Sequence, residues 1–251
     1  MWRRPQGRTT SKSEKPAAHG RRIGTKRTAR LQQKKYREAE RLFLTEGEAF
    51  LREARTTDRV PLEIFAKPEN LRSVSNLTNS TAPVGVFEYV DVAAEELLRK
   101  RDTVVLLDGV QDPGNVGTVV RSAHAFGAGV AISKGSADLY NPKTVRGTMG
   151  SIFHTAIARE VEGRDFIERA KLAGFKAVAA VASGGTPPPE IAEGKILFVI
   201  GSEGSGLSEE VVSGCDLAVS IPAVAESLNA AVAASILLYE ARSRQRPRVL
   251  P

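Results

Sequence analysis

From residue 103 onward, short apolar runs alternate with longer segments in which apolar residues recur every three or four positions. Short apolar runs are typical of buried strands, and the longer pattern is typical of amphipathic helices. The predicted strands are Val104–Leu107, Val130–Ser133, Ala177–Val181, Leu197–Ile200 and Leu217–Ser220. The predicted helices are Val116–Phe126, Pro142–Met149, Arg164–Ala173 and Leu228–Arg242. Repeated strand–helix alternation favours an α/β fold with a mostly parallel sheet covered on both faces.

The stretch from residue 30 to residue 101 is more polar, and it predicts a separate, smaller α/β module. Apolar residues among many charges between residues 30 and 54 indicate one or two surface helices, with Gly47 interrupting the pattern. Short strands are expected at Leu62–Ala66 and Val84–Val90, separated by the turn-rich residues 68–83. A helix is expected at Ala93–Arg101.

Positive charge is concentrated at the two ends of the chain, whose formal net charge is +7. Residues 1–38 hold 13 Lys and Arg against 2 acids, and RSRQRPR at residues 242–248 adds four arginines. Such basic ends are typical of proteins that bind a phosphate backbone. We predict a basic, disordered arm over residues 1–29 and a basic tail over residues 243–251, both contacting RNA or DNA. A transit peptide and a merely solvated tail are the alternatives for the arm.

Several well-known ligand signatures are missing from the sequence. No P-loop occurs, and Gly201–Gly206 reads GSEGSG, the wrong order for a dinucleotide-binding loop. The three histidines are scattered without ligand spacing, so we expect no metal site, and His124 is interpreted as a structural or surface residue. No G-x-S-x-G elbow of a serine hydrolase is present.

Cysteine content and hydropathy point to a cytoplasmic protein without a membrane partner. The single cysteine, Cys215, excludes an intramolecular disulfide, and we expect it to be a small buried filler. No run approaches the roughly 18 apolar residues that a transmembrane helix needs.

Three loops carry the candidate chemistry: Asp108–Arg121, Gly201–Ser208 and Ser220–Ala230. Each begins at the end of a predicted strand and combines Gly or Pro with polar side chains, and ligands usually bind at such strand ends. Asn115 is expected to be the N-cap of the following helix. Arg121 lies six positions later, which places it about 120° around that helix from Asn115.

These loops together resemble the SpoU (TrmH-like) branch of the SPOUT RNA methyltransferases. The three family motifs correspond to NVGTVVR at residues 115–121, FVIGSEGSGL at residues 198–207 and IPAVAESLN at residues 221–229. They occur in the family's order and spacing across residues 103–241. The segment Lys34–Ala54 is similar to the opening of the family's L30e-like substrate-binding domain, although the stretch from residue 56 to residue 84 is shorter than usual.

The resemblance implies a trefoil-knotted methyltransferase domain over residues 102–242, preceded by an L30e-like RNA-binding domain over residues 30–101. It also implies a homodimer that binds S-adenosyl-L-methionine (AdoMet) and methylates a ribose 2′-hydroxyl. Family members that act on transfer RNA commonly lack the L30e-like domain, so ribosomal RNA of the 23S type is favoured over transfer RNA. A non-catalytic RNA-binding or ribosome-assembly protein is the other alternative, and the presence of Arg121 and Asn229 argues against it.

The resemblance also implies the site residues. The catalytic positions are Arg121, Asn115, Glu203, Ser227 and Asn229, and the cofactor-binding positions are Gly201, Ile221, Leu228 and Ala182. Arg121 would activate the 2′-hydroxyl. Because a guanidinium stays protonated, we expect Arg121 to stabilise the developing alkoxide and to hold the adjacent phosphate. Glu203 would accept a hydrogen bond from Arg121 or from a ribose hydroxyl, and the remaining polar side chains would orient the substrate.

Overall fold

The fold is described from a computed structural model, which covers residues 23–75, 81–188 and 194–245. Its N-terminal elements are α1 Thr25–Arg30, α2 Lys34–Glu40, β1 Leu42–Glu46, α3 Glu48–Arg55, β2 Glu63–Phe65, α4 Pro68–Val74, β3 Val84–Glu88 and α5 Ala94–Lys100. The next elements are β4 Thr103–Leu107, α6 Pro113–Phe126, β5 Gly129–Ser133, α7 Pro142–Thr148, a 3₁₀ turn Ser151–Phe153, β6 Ile157–Val161 and α8 Gly163–Leu172. The chain continues with β7 Lys176–Ala180, β8 Ile196–Ile200, α9 Glu209–Gly214, β9 Leu217–Val219 and α10 Ala230–Gln245.

The C-terminal part is built on a six-stranded parallel sheet with the order β6-β5-β4-β8-β7-β9. Strands β4, β5 and β8 are buried at every position, as expected for strands covered on both faces. The predicted α/β fold with a mostly parallel sheet is therefore confirmed. The edge strand β6 was not predicted, because its sequence IAREV places Arg159 and Glu160 where a buried strand would have apolar residues.

The N-terminal part is a small α/β module whose antiparallel sheet has the order β1-β3-β2. The purely helical interpretation of residues 30–54 is wrong, because β1 separates α2 from α3. Its apolar run Leu42–Leu44 is too short for a helix, and Gly47, at φ 121°, makes the turn into α3. Helix α4 also falls inside the stretch interpreted as turn-rich.

Charged side chains join the two parts of the chain. The buried Arg37 of α2 donates to Asp138 at 2.6 Å, and Arg159 of β6 donates to both carboxylate oxygens of Glu38 at 2.9 and 3.0 Å. The hydroxyl of Tyr140 donates to Asp91 at 2.5 Å and accepts from the backbone amide of Val90. Buried ion pairs of this kind fix a geometry because breaking one leaves a charge without its partner.

The ends of the chain differ from the predicted boundaries. Residues 25–29, assigned to a disordered arm, belong to α1, whose Thr28 is buried, and residues 1–22 lie outside the described part. Helix α10 begins at Ala230 instead of Leu228 and runs to Gln245, so it includes the first residues of the predicted tail. Residues 246–251 lie outside the described part. No helix among the described residues is both long and apolar enough to cross a membrane.

Candidate active site

The loops after β4, β7, β8 and β9 meet at one edge of the parallel sheet, because parallel strands end on the same side. The loops after β7, β8 and β9 enclose a cleft of about 410 Å³, a volume within the usual range for small-molecule sites. Backbone and small side chains form much of its wall. The cleft is lined by residues 180–182, residues 200–207 and part of residues 219–228. Ala230 and Ala233 at the start of α10 line it as well.

All four predicted cofactor-binding residues lie on this cleft, namely Gly201, Ile221, Leu228 and Ala182. Glu203 and Ser227, two of the predicted catalytic residues, line it as well. The structure thus brings the second and third sequence motifs together with the loop after β7, although the part each residue takes in binding stays a prediction.

A chain of hydrogen bonds links side chains from all three motifs. The Asn115 amide nitrogen donates to Glu203 Oε1 at 2.7 Å, and the Asn229 amide nitrogen donates to Asn115 Oδ1 at 2.9 Å. Asn229 Oδ1 in turn accepts from the backbone amides of Ala231 and Val232 and so caps α10. The Glu203–Asn115–Asn229 relay therefore fixes both the nitrogen and the oxygen of the Asn115 side-chain amide, and Asn115 is buried.

Glu203 also holds the loop that precedes α6. Its two carboxylate oxygens accept from the backbone amides of Gln111 and Asp112 at 3.0 and 3.2 Å. Burial raises the pKa of Glu203, but the hydrogen bonds from Asn115 and from these amides outweigh it and hold the pKa below its usual value. Glu203 is therefore an anion at neutral pH that positions Asn115 and the loop, and none of its described hydrogen bonds involves Arg121.

The N-cap of α6 is Asp112 and not Asn115, which corrects the sequence-based interpretation. Asp112 Oδ1 accepts from the backbone amide of Gly114 at 2.7 Å, and Pro113 occupies the first helical position. Lys143 of α7 donates to the same oxygen at 3.0 Å. With the cap provided by Asp112, the Asn115 side chain is released for the relay. The sequence signal was present in DPGN, where both Asp and Asn are good caps and Pro marks the residue before it.

Two close backbone approaches shape the site. A Cβ added at Gly201 would lie 2.3 Å from the carbonyl carbon of Gly206 and 2.4 Å from the amide nitrogen of Leu207. A Cβ at Gly117 of α6 would lie 2.6 Å from the carbonyl oxygen of Thr144 and 2.8 Å from the Cα of Gly147. Each glycine is needed because no side chain fits between the two backbones. The first contact forms the wall of the cleft, and the second sets α6 against α7.

Arg121 stands apart from this cluster. It is exposed on α6, it does not line the cleft, and its guanidinium has no hydrogen-bond or ion-pair partner among the described residues. Within one chain, the structure therefore assembles four of the five predicted catalytic residues and leaves the fifth facing solvent.

Other chemically active residues lie away from the cleft. Burial raises the pKa of the Cys215 thiol to about 11, so the thiol stays protonated at neutral pH. Its Sγ donates to the Val211 carbonyl oxygen at 3.4 Å, and the side chain packs against the core, in agreement with a filler role. No group of three or more His, Cys, Asp or Glu residues among the described ones is arranged to hold a metal ion.

Comparison with known proteins gives two family matches that together cover most of the chain. Residues 102–239 match the model of the SpoU rRNA Methylase family, and residues 24–101 match the MRM3-like substrate binding domain. Among curated relatives, the 23S rRNA (guanosine(2553)-2′-O)-methyltransferase RlmP of Bacillus subtilis is 33% identical over 85% of this chain and 93% of its own length.

Solved structures of similar proteins cover nearly the whole chain. An AdoMet-bound rRNA methyltransferase from Sinorhizobium meliloti superposes with a TM-score of 0.81 at 29% identity, over 89% of this chain and 95% of its own. The SpoU methyltransferase AviRb from Streptomyces viridochromogenes, in complex with AdoMet, superposes with a TM-score of 0.78 at 27% identity, over 90% of this chain and 98% of its own.

Proposed function

Because the chain belongs to the SpoU rRNA methylase family, we propose that it transfers the methyl group of AdoMet to a ribose 2′-hydroxyl of ribosomal RNA. The observation that carries this proposal is the Glu203–Asn115–Asn229 relay, which reaches the cleft through Glu203. It ties the three family motifs into one site, as expected of a chain that has kept its catalytic geometry and not merely its fold.

The cleft suits AdoMet in size and chemistry. Its wall consists largely of backbone and small residues such as Ala182, Gly201 and Ala223, which allow a flat adenine and a ribose to lie close to the main chain. Ile221 and Leu228 add apolar side chains on either side, and Glu203 supplies negative charge near the same space. AdoMet carries the methyl group on a positively charged sulfonium, which makes that carbon the electrophile.

In the proposed reaction, a bond would form between the 2′-oxygen and the methyl carbon while the carbon–sulfur bond breaks. The electron pair of that bond would stay on sulfur as a neutral thioether, and the hydroxyl proton would pass to solvent water. Arg121 holds the substrate phosphate and stabilises the oxygen as it becomes negative, since a guanidinium presents a positive charge and a planar fork of N–H donors. Asn115 and Asn229, held by the relay, and the exposed hydroxyl of Ser227 orient the ribose. Alignment of the oxygen with the carbon–sulfur bond supplies much of the rate acceleration.

Exchange of the two relay partners gives a direct test of the Asn115–Glu203 hydrogen bond. Asn115→Asp removes the donor and places a second carboxylate beside Glu203, so we expect kcat to fall by roughly 100-fold. The double variant Asn115→Asp with Glu203→Gln restores one donor and one acceptor with their positions reversed, and should recover at least part of kcat. Steady-state methyl-transfer kinetics measure both. Because Glu203→Gln also places an amide nitrogen opposite the backbone amide of Asp112, that single variant is measured as well. A double variant whose loss of kcat equals the product of the two single losses would refute the relay's positioning role.

Ribosomal RNA is the proposed substrate because the N-terminal module provides a substrate-binding domain ahead of the methyltransferase domain. Incubation of the protein with methyl-labelled AdoMet and separate pools of ribosomal and transfer RNA tests this choice. We expect label in the 23S fraction and none in transfer RNA. Label confined to transfer RNA would overturn the substrate, and label in neither pool would support a binding protein that has lost catalysis.

We further propose that the protein works as a homodimer in which a second copy covers an apolar groove between α6 and α10. Phe126 and Tyr239 meet edge to face at a 6.1 Å centroid separation, and Val232 and Tyr239 are 48% and 56% exposed. Thr118, which also lines the groove, lies one helical turn before Arg121 on α6. A second copy bound there would lie beside Arg121, which is exposed and does not line the cleft of its own chain.

The groove proposal predicts the effect of a charge placed in it. Val232→Asp should convert the dimer to a monomer, because an unpaired carboxylate would be buried in an apolar contact. Light scattering measures the mass in solution. Val60→Asp is the matched control, since Val60 is 79% exposed in the N-terminal module and should leave the dimer intact. A Val232→Asp variant that remains a dimer would place the interface elsewhere.

The basic ends are proposed to add electrostatic affinity for RNA without sequence preference. Residues 1–22, which include seven Lys and Arg against one acid, precede Ile23. The backbone amide of Ile23 donates to Glu63 of β2 at 3.3 Å, which holds Ile23 to the substrate-binding module.

A further inference from the structure

Two histidine rings lie face to face where the two parts of the chain meet. His124 in the last turn of α6 stacks on His154, with ring centroids 4.5 Å apart and planes 5° from parallel. Each ring is also fixed by a hydrogen bond, since His124 Nδ1 lies 3.1 Å from Ser151 Oγ and His154 Nε2 lies 3.1 Å from Glu53 Oε2 of α3. The pair is therefore a rigid feature.

His124 is the outer ring of the pair. The residue is exposed, whereas the side chain of His154 keeps only 20% of its accessible surface. No other aromatic ring among the described residues stacks on His124. The His124 ring is thus accessible to a planar group from outside the chain.

The position of the pair connects two surfaces that the proposed function needs. Arg121 lies one helical turn before His124 on the exposed side of α6. On the opposite side, His154 lies 3.5 Å from the hydroxyl of Thr56, directly after α3 of the substrate-binding module. An RNA strand that runs from that module to Arg121 passes over His124.

The charge around the pair suits such a strand. Arg52 and Arg55 lie in the last turn of α3, and both are exposed. Burial and the neighbouring His154 hold the pKa of His124 below its ordinary value, against the opposite effect of Glu53. The His124 ring is therefore neutral near pH 7, in the form that stacks on a base, while the arginines on either side provide charge for phosphates.

We propose that His124, supported from behind by His154, is a stacking platform for an unpaired base of the substrate RNA, between the substrate-binding module and Arg121. Unpaired RNA bases are commonly recognised by stacking on aromatic side chains, histidine included. This inference rests on the proposed function, because it assigns a contact to the same substrate.

The test compares His124→Ala with His124→Phe in the full-length protein, with a 23S ribosomal RNA transcript as the substrate. Loss of one base–aromatic stack should raise the KM for the transcript by about tenfold in His124→Ala, with kcat and AdoMet affinity unchanged. His124→Phe keeps a neutral ring and should stay close to the wild-type KM. Leu172→Ala, at a residue that is 91% exposed on α8, controls for loss of an exposed side chain elsewhere.

The possible outcomes separate the platform from a purely structural role. An unchanged KM in His124→Ala would overturn the platform while leaving the proposed function intact. Equal losses in the Ala and Phe variants, accompanied by a lower melting temperature, would overturn it as well, because the pair would then only join the two parts of the chain. A wild-type protein that neither binds the transcript on filters nor methylates it would overturn the proposed function, and the platform with it.

Discussion

Substitution of Arg121 by Ala is expected to reduce methyl transfer at least about 100-fold, the usual cost of removing a group that stabilises developing negative charge. AdoMet affinity and melting temperature should stay at wild-type values. Affinity and stability should not change because Arg121 is exposed, does not line the cleft and makes no hydrogen bond or ion pair among the described residues. Single-turnover methylation and calorimetric titration with AdoMet measure the two effects separately.

Arg121→Lys provides the matched control for the positive charge. A lysine keeps the charge but loses the planar fork that holds a phosphate through two hydrogen bonds, so we expect intermediate activity. Substantial activity in Arg121→Ala would remove Arg121 from the mechanism. A large loss of AdoMet affinity would show that the residue acts through the cleft, which its exposed position argues against.

The second large effect is expected at Gly201. In Gly201→Ala the new methyl would lie less than 2.6 Å from the backbone of Gly206 and Leu207, and neither main chain can move without opening the loop. The mutual hydrogen bonds between Ser202 and Gly206, at 3.2 and 3.0 Å, would be strained at the same time. Because this loop forms a wall of the cleft, we expect AdoMet affinity to fall by about tenfold or more.

Gly204 in the same loop supplies the control. It also lines the cleft, but a Cβ added there meets nothing within 4 Å. Gly204→Ala should therefore bind AdoMet nearly as well as the wild type, and calorimetry compares the two variants directly. A normal dissociation constant for Gly201→Ala would mean that this cleft does not hold the cofactor.

The parts of the fold that follow from local patterns could be predicted from the sequence. Strands such as β4 and β8 are continuous apolar runs, and their burial on both faces leaves no other interpretation. Strand β1 was missed because its flanking helices dominate the pattern, and β6 was missed because it is an edge strand with charges that pair across the domain boundary. In both cases tertiary contacts and not local periodicity decide the structure.

The resemblance named residues that the structure brings together near the cleft, but not the hydrogen bonds that connect them. The positions of Asn115, Glu203 and Asn229 came from the resemblance, whereas the direction of their hydrogen bonds depends on loops more than 80 residues apart. Asn115 was predicted as the N-cap because Asn caps helices well, although Pro113 at the first helical position marks Asp112 as the cap. The trefoil knot and the roles of the individual site residues remain predictions.

The position of the methyl group in the product RNA shows directly whether a ribose oxygen or a base has been methylated. Ribosomal RNA methylated by the purified protein with methyl-labelled AdoMet would be digested to nucleosides and analysed by chromatography and mass spectrometry. We expect all label in a 2′-O-methylnucleoside, with the base unmodified. Label on a base, with the ribose unmodified, would show that the ribose 2′-hydroxyl is not the methyl acceptor.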